Sequence, residues 1–313
     1  MFKYLRVSVT DRCNYRCVYC MPEEGVSKQS HEQIMRYEEI LTVIKTAVAE
    51  GVEQVRITGG EPLVRGGIVD FIAEVARIPN LNDLTLTTNG ALLTRYAEPL
   101  KKAGLNRVNI SLDSLNPETF KKITRVGNLE DVIAGIDAAI AAGLRPVKLN
   151  TVLIPGVNDE EILSFVDFVV DRAISVRFIE RMPFKAVELP PDDQFISEDQ
   201  VVAAILQKYQ LEKAADSSFG PSSDYRIAGS EAGVGFISSR SHPFCQRCTR
   251  LRLTADGHLL PCLDSEVGIN VRGMTPELIS KSMAQLAVEK SSWQKQQACY
   301  ASTFASSLSK IGG

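Results

Sequence analysis

Along the first 180 residues, short runs in which apolar and polar positions alternate are separated by longer runs in which apolar positions recur every three or four residues. Leu5, Val7 and Val9 alternate with Arg6, Ser8 and Thr10; Val55 and Ile57 flank Arg56; Leu84 and Leu86 alternate with Thr85 and Thr87; Val108, Ile110 and Leu112 alternate with Asn109, Ser111 and Asp113; Val147 and Leu149 flank Lys148. Period-two alternation predicts strands at about 4–10, 53–58, 83–88, 107–113, 146–152 and 175–180. Helical spacing predicts helices at about 35–50, 66–78, 94–103, 128–142 and 159–172. Gly51, Gly104 and Gly143 each follow a helical run and precede a strand, where a helix stop is expected. Strand–helix repetition with short joins implies parallel strands and right-handed crossovers. The predicted fold is α/β, a partial (β/α)6 barrel of TIM type. After about residue 195 the pattern weakens, and Ser217 to Ser223 reads as a loop. We therefore expect a barrel over 1–195 and a distinct C-terminal region over 196–313.

The alternation carries a second message. Parallel strands buried on both faces usually read as continuous apolar runs. Here one face is polar and partly cationic, and in a barrel that face is the lumen. Buried Arg and Lys are costly without an anionic partner, so the lumen predicts a bound anion. An open sheet with one wet face is the blander reading, and it is rare for parallel sheets.

Composition narrows the classes. The 313 residues include 35 Lys plus Arg against 38 Asp plus Glu, a net charge of −3, with 44% hydrophobic and 23% charged residues. This balance argues against a nucleic-acid binder. No apolar run is long enough to span a bilayer, and the N-terminus lacks a secretory core, so we expect a cytoplasmic protein. Seven cysteines fall as two groups of three and a lone Cys299, a distribution unlike a disulfide framework.

Cys13, Cys17 and Cys20 form C-x3-C-x2-C directly after the first strand, with aromatic Tyr19 before the last thiol. Three thiolates on one short loop can hold three corners of a cubane iron–sulfur cluster and leave one iron open; a zinc loop is the alternative. Cys245, Cys248 and Cys262 form C-x2-C-x13-C, where a second cluster competes with a Cys3His zinc site completed by His258 or His242.

C-x3-C-x2-C with its aromatic, Gly59-Gly60-Glu61-Pro62 at the end of strand two, and Asn109 to Ser114 on strand four resemble the radical S-adenosylmethionine superfamily. Adding the second cysteine group with Thr249 to Gly257, Gly235 to Ser238, Phe244, and the terminal Gly312-Gly313, the chain resembles the GTP 3′,8-cyclase (molybdenum cofactor biosynthesis protein A) family from about residue 4 onward. Thr249 stands where that family more often has Asn, and its Gly-Arg pair upstream of strand one is missing.

The resemblance implies a lyase with two 4Fe–4S clusters and S-adenosylmethionine. Cys13, Cys17 and Cys20 would bind the first, catalytic cluster, and Cys245, Cys248 and Cys262 the second. Tyr19, Gly60, Ser111 and Met182 would contact S-adenosylmethionine. Arg6, Arg56, Thr87 and Lys148 would bind GTP, with Arg250, Leu251 and Arg252 completing its surroundings. A deoxyadenosyl radical would take the ribose C3′ hydrogen, and C3′ would bond to guanine C8. The product would be (8S)-3′,8-cyclo-7,8-dihydroguanosine 5′-triphosphate, passed on to cyclic pyranopterin monophosphate synthase. The resemblance leaves a homodimer open and places the glycine tail in the active site. Two other readings stand beside this one: a two-cluster radical enzyme modifying a peptide, and a zinc-stabilised binding module without catalysis.

Overall fold

The structure, a computed structural model, describes residues 1–25, 29–30, 32–182, 194–214, 220–263, 265 and 267–295. Cys299, Gly312 and Gly313, and part of the expected loop at 217–219, lie outside the described residues.

Six strands alternate with helices through residue 180. In chain order they are β1 (Tyr4–Ser8), α1 (Tyr37–Ala49), β2 (Gln54–Thr58), α2 (Ile68–Ala76), β3 (Asp83–Thr88), α3 (Leu93–Lys102), β4 (Arg107–Ser111), α4 (Pro117–Thr124), α5 (Leu129–Ala141), β5 (Lys148–Leu153), α6 (Ile162–Arg172) and β6 (Ser175–Glu180). β1 to β6 lie side by side in sequence order, all parallel. The predicted elements are present with ends shifted by at most three residues. Gly51, Gly104 and Gly143 have φ of 91°, 96° and 73°. That left-handed conformation closes a helix at little cost only for glycine.

α4 is an addition to the sequence reading. The Asn116 side chain accepts hydrogen bonds from the amides of Glu118 and Thr119, and Pro117 occupies the first helical position. Both features favour helix initiation, but eight residues give a weak periodic signal.

The remaining elements are α7 (Glu198–Ile205), β7 (Leu211–Lys213), β8 (Ser223–Ile227), β9 (Gly233–Ile237), β10 (Arg250–Leu253), β11 (His258–Leu260), β12 (Ile269–Asn270) and α8 (Pro276–Lys295). They extend the same sheet at both edges. β9 pairs parallel with β6 and carries β8 and β7 outward; β10 pairs parallel with β1 and carries β11 and β12. Among the described residues the result is one open twelve-stranded sheet whose two edges are both supplied by residues beyond 196.

The apolar parity of each strand packs against the helices. Leu5, Val7, Val55, Ile57, Leu84, Leu86, Val108, Ile110 and Leu149 are all buried, and they meet faces such as Ile40, Val43, Ile44 and Ala47 of α1. Truncating one of these leucines or isoleucines to Ala would cost about 2–5 kcal/mol. Strand parity is therefore fixed from the outside, and it dictates which side chains face inward.

Candidate active site

The inner face of the sheet lines a cavity of about 460 Å³. Alternate residues of successive strands reach it: Arg6 from β1, Arg56 from β2, Thr87 from β3, Asn109 and Ser111 from β4, Lys148 and Asn150 from β5, and Arg177 from β6. The parallel register sets them in rows. Arg252, Arg6 and Arg56 stand abreast on β10, β1 and β2; Asn109 stands beside Lys148, and Ser111, Asn150 and Arg177 stand abreast. Of the residues picked from the sequence, Tyr19, Met182 and Arg250 also line this cavity. Gly60 and Leu251 do not. Leu251 is fully buried in the core beside Leu5, on the opposite parity from Arg250 and Arg252.

Eight cationic side chains line the cavity: Arg6, Arg56, Arg107, Lys148, Arg177, Arg181, Arg250 and Arg252. The carboxylate lining it, Glu180, faces elsewhere. It accepts hydrogen bonds from the amides of Glu198, Arg240 and Ser241 and from the Ser241 hydroxyl. Arg107 is paired with Asp83. Burial, then repulsion among neighbours, pushes these cations down: Arg6 well below the ordinary arginine range, and Arg56 and Arg252 to about 10. Several inward polar atoms are buried with no hydrogen-bond partner among the described residues: Arg56 Nε, Thr87 Oγ1, both amide atoms of Asn109, Asn150 Oδ1 and Arg177 Nε. Native proteins rarely leave such groups unmet. A polyanion with several acceptor oxygens meets the cations and the unpartnered donors, while Asn109 Oδ1 and Asn150 Oδ1 call for a donor such as a hydroxyl or an amino group.

Arg177, Arg107, Asn150 and Tyr4 were not singled out from the sequence, and Asn109 was named only within the strand-four motif, with no site role. The signal for Arg177 was present, since Val176 and Phe178 flank it as Val55 and Ile57 flank Arg56. β8 adds Asp224, whose Oδ2 lies 3.2 Å from Lys148 Nζ and 3.0 Å from Arg177 Nη2. Burial alone would raise the Asp224 carboxyl, but Arg177 and Lys148 outweigh it and hold it at about 2. Burial, then Arg177, lowers Lys148 to about 8, with Asp224 opposing. Gly235 makes room for this triad: a Cβ there would stand 2.5 Å from Asp224 Oδ1.

The first cysteine loop follows β1 and is fixed from two sides. The amides of Arg16 and Val18 donate to the carbonyls of Thr124 and Ile123 at the end of α4, and the Arg125 guanidinium donates to the carbonyls of Arg16 and Met21. From the other side, Gly60 N donates to Thr10 O at 2.7 Å and Glu61 N to Arg12 O at 2.8 Å. A Cβ at Gly60 would stand 2.4 Å from Arg12 O. The close approach that needs glycine here is thus to the cysteine loop itself. Glu61, buried and raised by that burial to about 7, accepts from Leu63 N, Thr88 Oγ1 and Asn89 N. Asn89 in turn reaches Asn14 and, at 4.0 Å, Cys13 Sγ. Tyr19 OH donates to Asp113 at 2.7 Å, which turns the aromatic toward the cavity.

Cys13, Cys17 and Cys20 are half-buried and form no disulfide. Tyr15 N donates to Cys13 Sγ at 3.3 Å. Burial raises the Cys13 thiol to about 11 and Cys17 well above the ordinary thiol range, so ionisation requires an added positive charge. Iron would supply that charge, and three soft sulfur donors on one clamped loop suit an iron–sulfur cluster.

Cys245, Cys248 and Cys262 line a second cavity, of about 90 Å³. Met182, Ile237, Arg250, Arg252 and Leu263 line both cavities, so the second opens beside the first. Burial would raise Cys248, but Arg250 and Lys290 outweigh it and lower the thiol to about 6. Arg250 Nε lies 3.4 Å and Lys290 Nζ 3.3 Å from its sulfur.

A parallel partial barrel with a three-cysteine loop after its first strand defines a radical S-adenosylmethionine protein, and the radical SAM superfamily model matches residues 7–169. A Molybdenum Cofactor Synthesis C model matches residues 174–301. The chain belongs to the GTP 3′,8-cyclase family: it is 49% identical over 282 residues to a GTP 3′,8-cyclase of Petrotoga mobilis, covering 90% of this chain and 87% of that one. It is 51% identical to a GTP 3′,8-cyclase of Peptoclostridium acidaminophilum, covering 86% and 83%. Among solved structures, Streptococcus suis SuiB bound to S-adenosylmethionine shares the fold with a TM-score of 0.64 at 16% identity, over 87% of this chain and 63% of that chain, less than two thirds of its length. Superfamily membership implies a 4Fe–4S cluster and S-adenosylmethionine as cofactors. No helix among the described residues is long and apolar enough to cross a membrane.

Proposed function

We propose that this chain joins C3′ of the ribose to C8 of guanine within GTP, giving (8S)-3′,8-cyclo-7,8-dihydroguanosine 5′-triphosphate in molybdenum cofactor biosynthesis. The observation that carries the reading is the cavity with eight lining cations and unmet buried donors, reached by Tyr19 of the first cysteine loop and adjoining the cavity lined by Cys245, Cys248 and Cys262. When bound and reduced, the cluster and S-adenosylmethionine supply a 5′-deoxyadenosyl radical.

The chain's own residues bind and orient. Cys13, Cys17 and Cys20 hold the first cluster. Tyr19, Ser111 and Met182 line the S-adenosylmethionine end of the cavity, and Gly60 acts by letting the GGEP turn close on the cysteine loop. Arg6, Arg56, Thr87 and Lys148, joined by Arg177, hold the triphosphate. Arg–phosphate bonds are charge-assisted and directional, which fixes the ribose for reaction. Cys245, Cys248 and Cys262 would hold a second 4Fe–4S cluster, with Arg250 and Arg252 lining both cavities. Leu251 stands apart from the cavity, with its side chain in the core.

Zinc is the weaker reading of the second thiol group. His258 Nδ1 lies 3.2 Å from Asp256, and His242 Nδ1 lies 3.0 Å from Ser241 Oγ and 3.6 Å from Glu198. Each histidine has its Nδ1 engaged by another group, and neither lines the cavity of the thiols. A peptide substrate would not call for so many inward cations. The product passes to cyclic pyranopterin monophosphate synthase, and the setting is the cytoplasm.

The test is anaerobic incubation of reconstituted protein with dithionite, S-adenosylmethionine and GTP. We expect GTP-dependent 5′-deoxyadenosine and a nucleotide of unchanged mass that is chromatographically new. C13S abolishes both. Deoxyadenosine without any change in GTP would refute the substrate.

A further inference from the structure

α8 ends against the second thiol group, and its contacts there are specific. Lys290 is 7% exposed. Its Nζ donates to Cys248 Sγ at 3.3 Å, to Arg250 O at 2.6 Å and to Pro261 O at 2.9 Å. An ammonium has three hydrogens, and all three are committed here. One helical turn later, Gln294 Nε2 donates to the carbonyls of Cys245 and Cys248 at 2.8 and 3.1 Å. The i and i+4 positions share a helix face. Together the two side chains reach the backbone of Cys245, the backbone and sulfur of Cys248, and the residue preceding Cys262. The Phe2 ring, 5.5 Å from Nζ, closes the other side.

A lysine with three acceptors has no donor left for a nucleotide, and it sits behind the sulfur rather than in the large cavity. We propose that Lys290 is a positioning residue of the second site: it ties the Cys248 segment to the Cys262 segment and raises the reduction potential of the cluster they would hold. This rests on the reading of that site as a 4Fe–4S centre. The physical reason is that reduction adds one negative charge to a poorly solvated centre. A fixed cation donating to a ligand sulfur favours that charge, as do hydrogen bonds to cluster sulfur generally. Met at this position keeps most of the volume and removes the charge and all three bonds.

The experiment uses full-length protein carrying C13A, C17A and C20A, so that only the second site is read. It is reconstituted anaerobically, its iron and sulfide are counted, and it is titrated with EPR detection. With Lys290 present, about four irons and four sulfides bind per chain. K290M in that background retains the cluster, and its reduction equilibrium is at least tenfold less favourable, about 59 mV for one electron. K290R keeps the midpoint near that of the Lys290 protein. An unchanged midpoint and spectrum in K290M overturn the inference while leaving the second cluster in place. Failure of the Lys290 protein itself to bind iron and sulfide overturns the underlying reading instead. If K290M does not hold the cluster, K290R decides: a retained cluster with an unchanged midpoint supports the assignment, and a lost one overturns the charge argument.

Discussion

On the proposed role of Lys148 as a phosphate ligand, Asp224 keeps that lysine charged, and D224N tests this. Lys148 is pulled down to about 8 by burial and by Arg177, and Asp224 opposes that pull at 3.2 Å. At an effective dielectric of about 20, one such contact amounts to about 5 kcal/mol. The Lys148 and Asp224 side chains are 17% and 21% exposed, so solvent screening reduces this to about 1–3 kcal/mol. That corresponds to about one to two pH units. Only the protonated lysine attracts phosphate, so GTP affinity should be flat below the pKa of Lys148 and weaken above it. The Kd for GTP, measured by calorimetry across pH 6–9.5, should break near pH 8 in the parent and near pH 6–7 in D224N. Taking the ratio of the two proteins at each pH cancels the titration of GTP itself. Below its break, D224N should bind at least as tightly, because one carboxylate fewer faces the triphosphate. K148M should show no such break. A break at the same pH in D224N and the parent, with both proteins folded by circular dichroism, would refute the coupling.

Two further outcomes follow from the same geometry. G60A forces a Cβ to within 2.4 Å of Arg12 O, so the cysteine loop must move; iron bound at the first site should fall by more than half while the second site keeps its complement, counted in reconstituted protein. Trp293 is the one tryptophan of the sequence and lines the second thiol cavity, so its fluorescence should be quenched as the second cluster assembles, and C262S should prevent that quenching but C13S should not.

The strand residues of the cavity were legible because packing fixes parity. Once Leu5, Val55 and Leu149 are committed to the helices, Arg6, Arg56 and Lys148 have only the lumen to occupy. Arg177 obeys the same rule and was overlooked only because no motif drew attention to it. The pairing of β9 with β6 and of β10 with β1 was not legible, because long-range register leaves no local periodic trace. Asp224 became visible only with that pairing. Lys290 and Gln294 look in the sequence like ordinary polar positions of a helix; their meaning comes from where α8 ends. Gly60 was legible as a close-approach glycine, and the structure supplies what approaches: the carbonyl of Arg12.

The central claim is that the ribose C3′ of GTP is where the radical acts. The most direct measurement is a single-turnover reaction with GTP deuterated at C3′, followed by mass analysis of the 5′-deoxyadenosine formed. The account predicts one deuterium in the deoxyadenosine and its absence from the cyclised nucleotide. Deoxyadenosine formed without deuterium, with the label still in GTP, would contradict it.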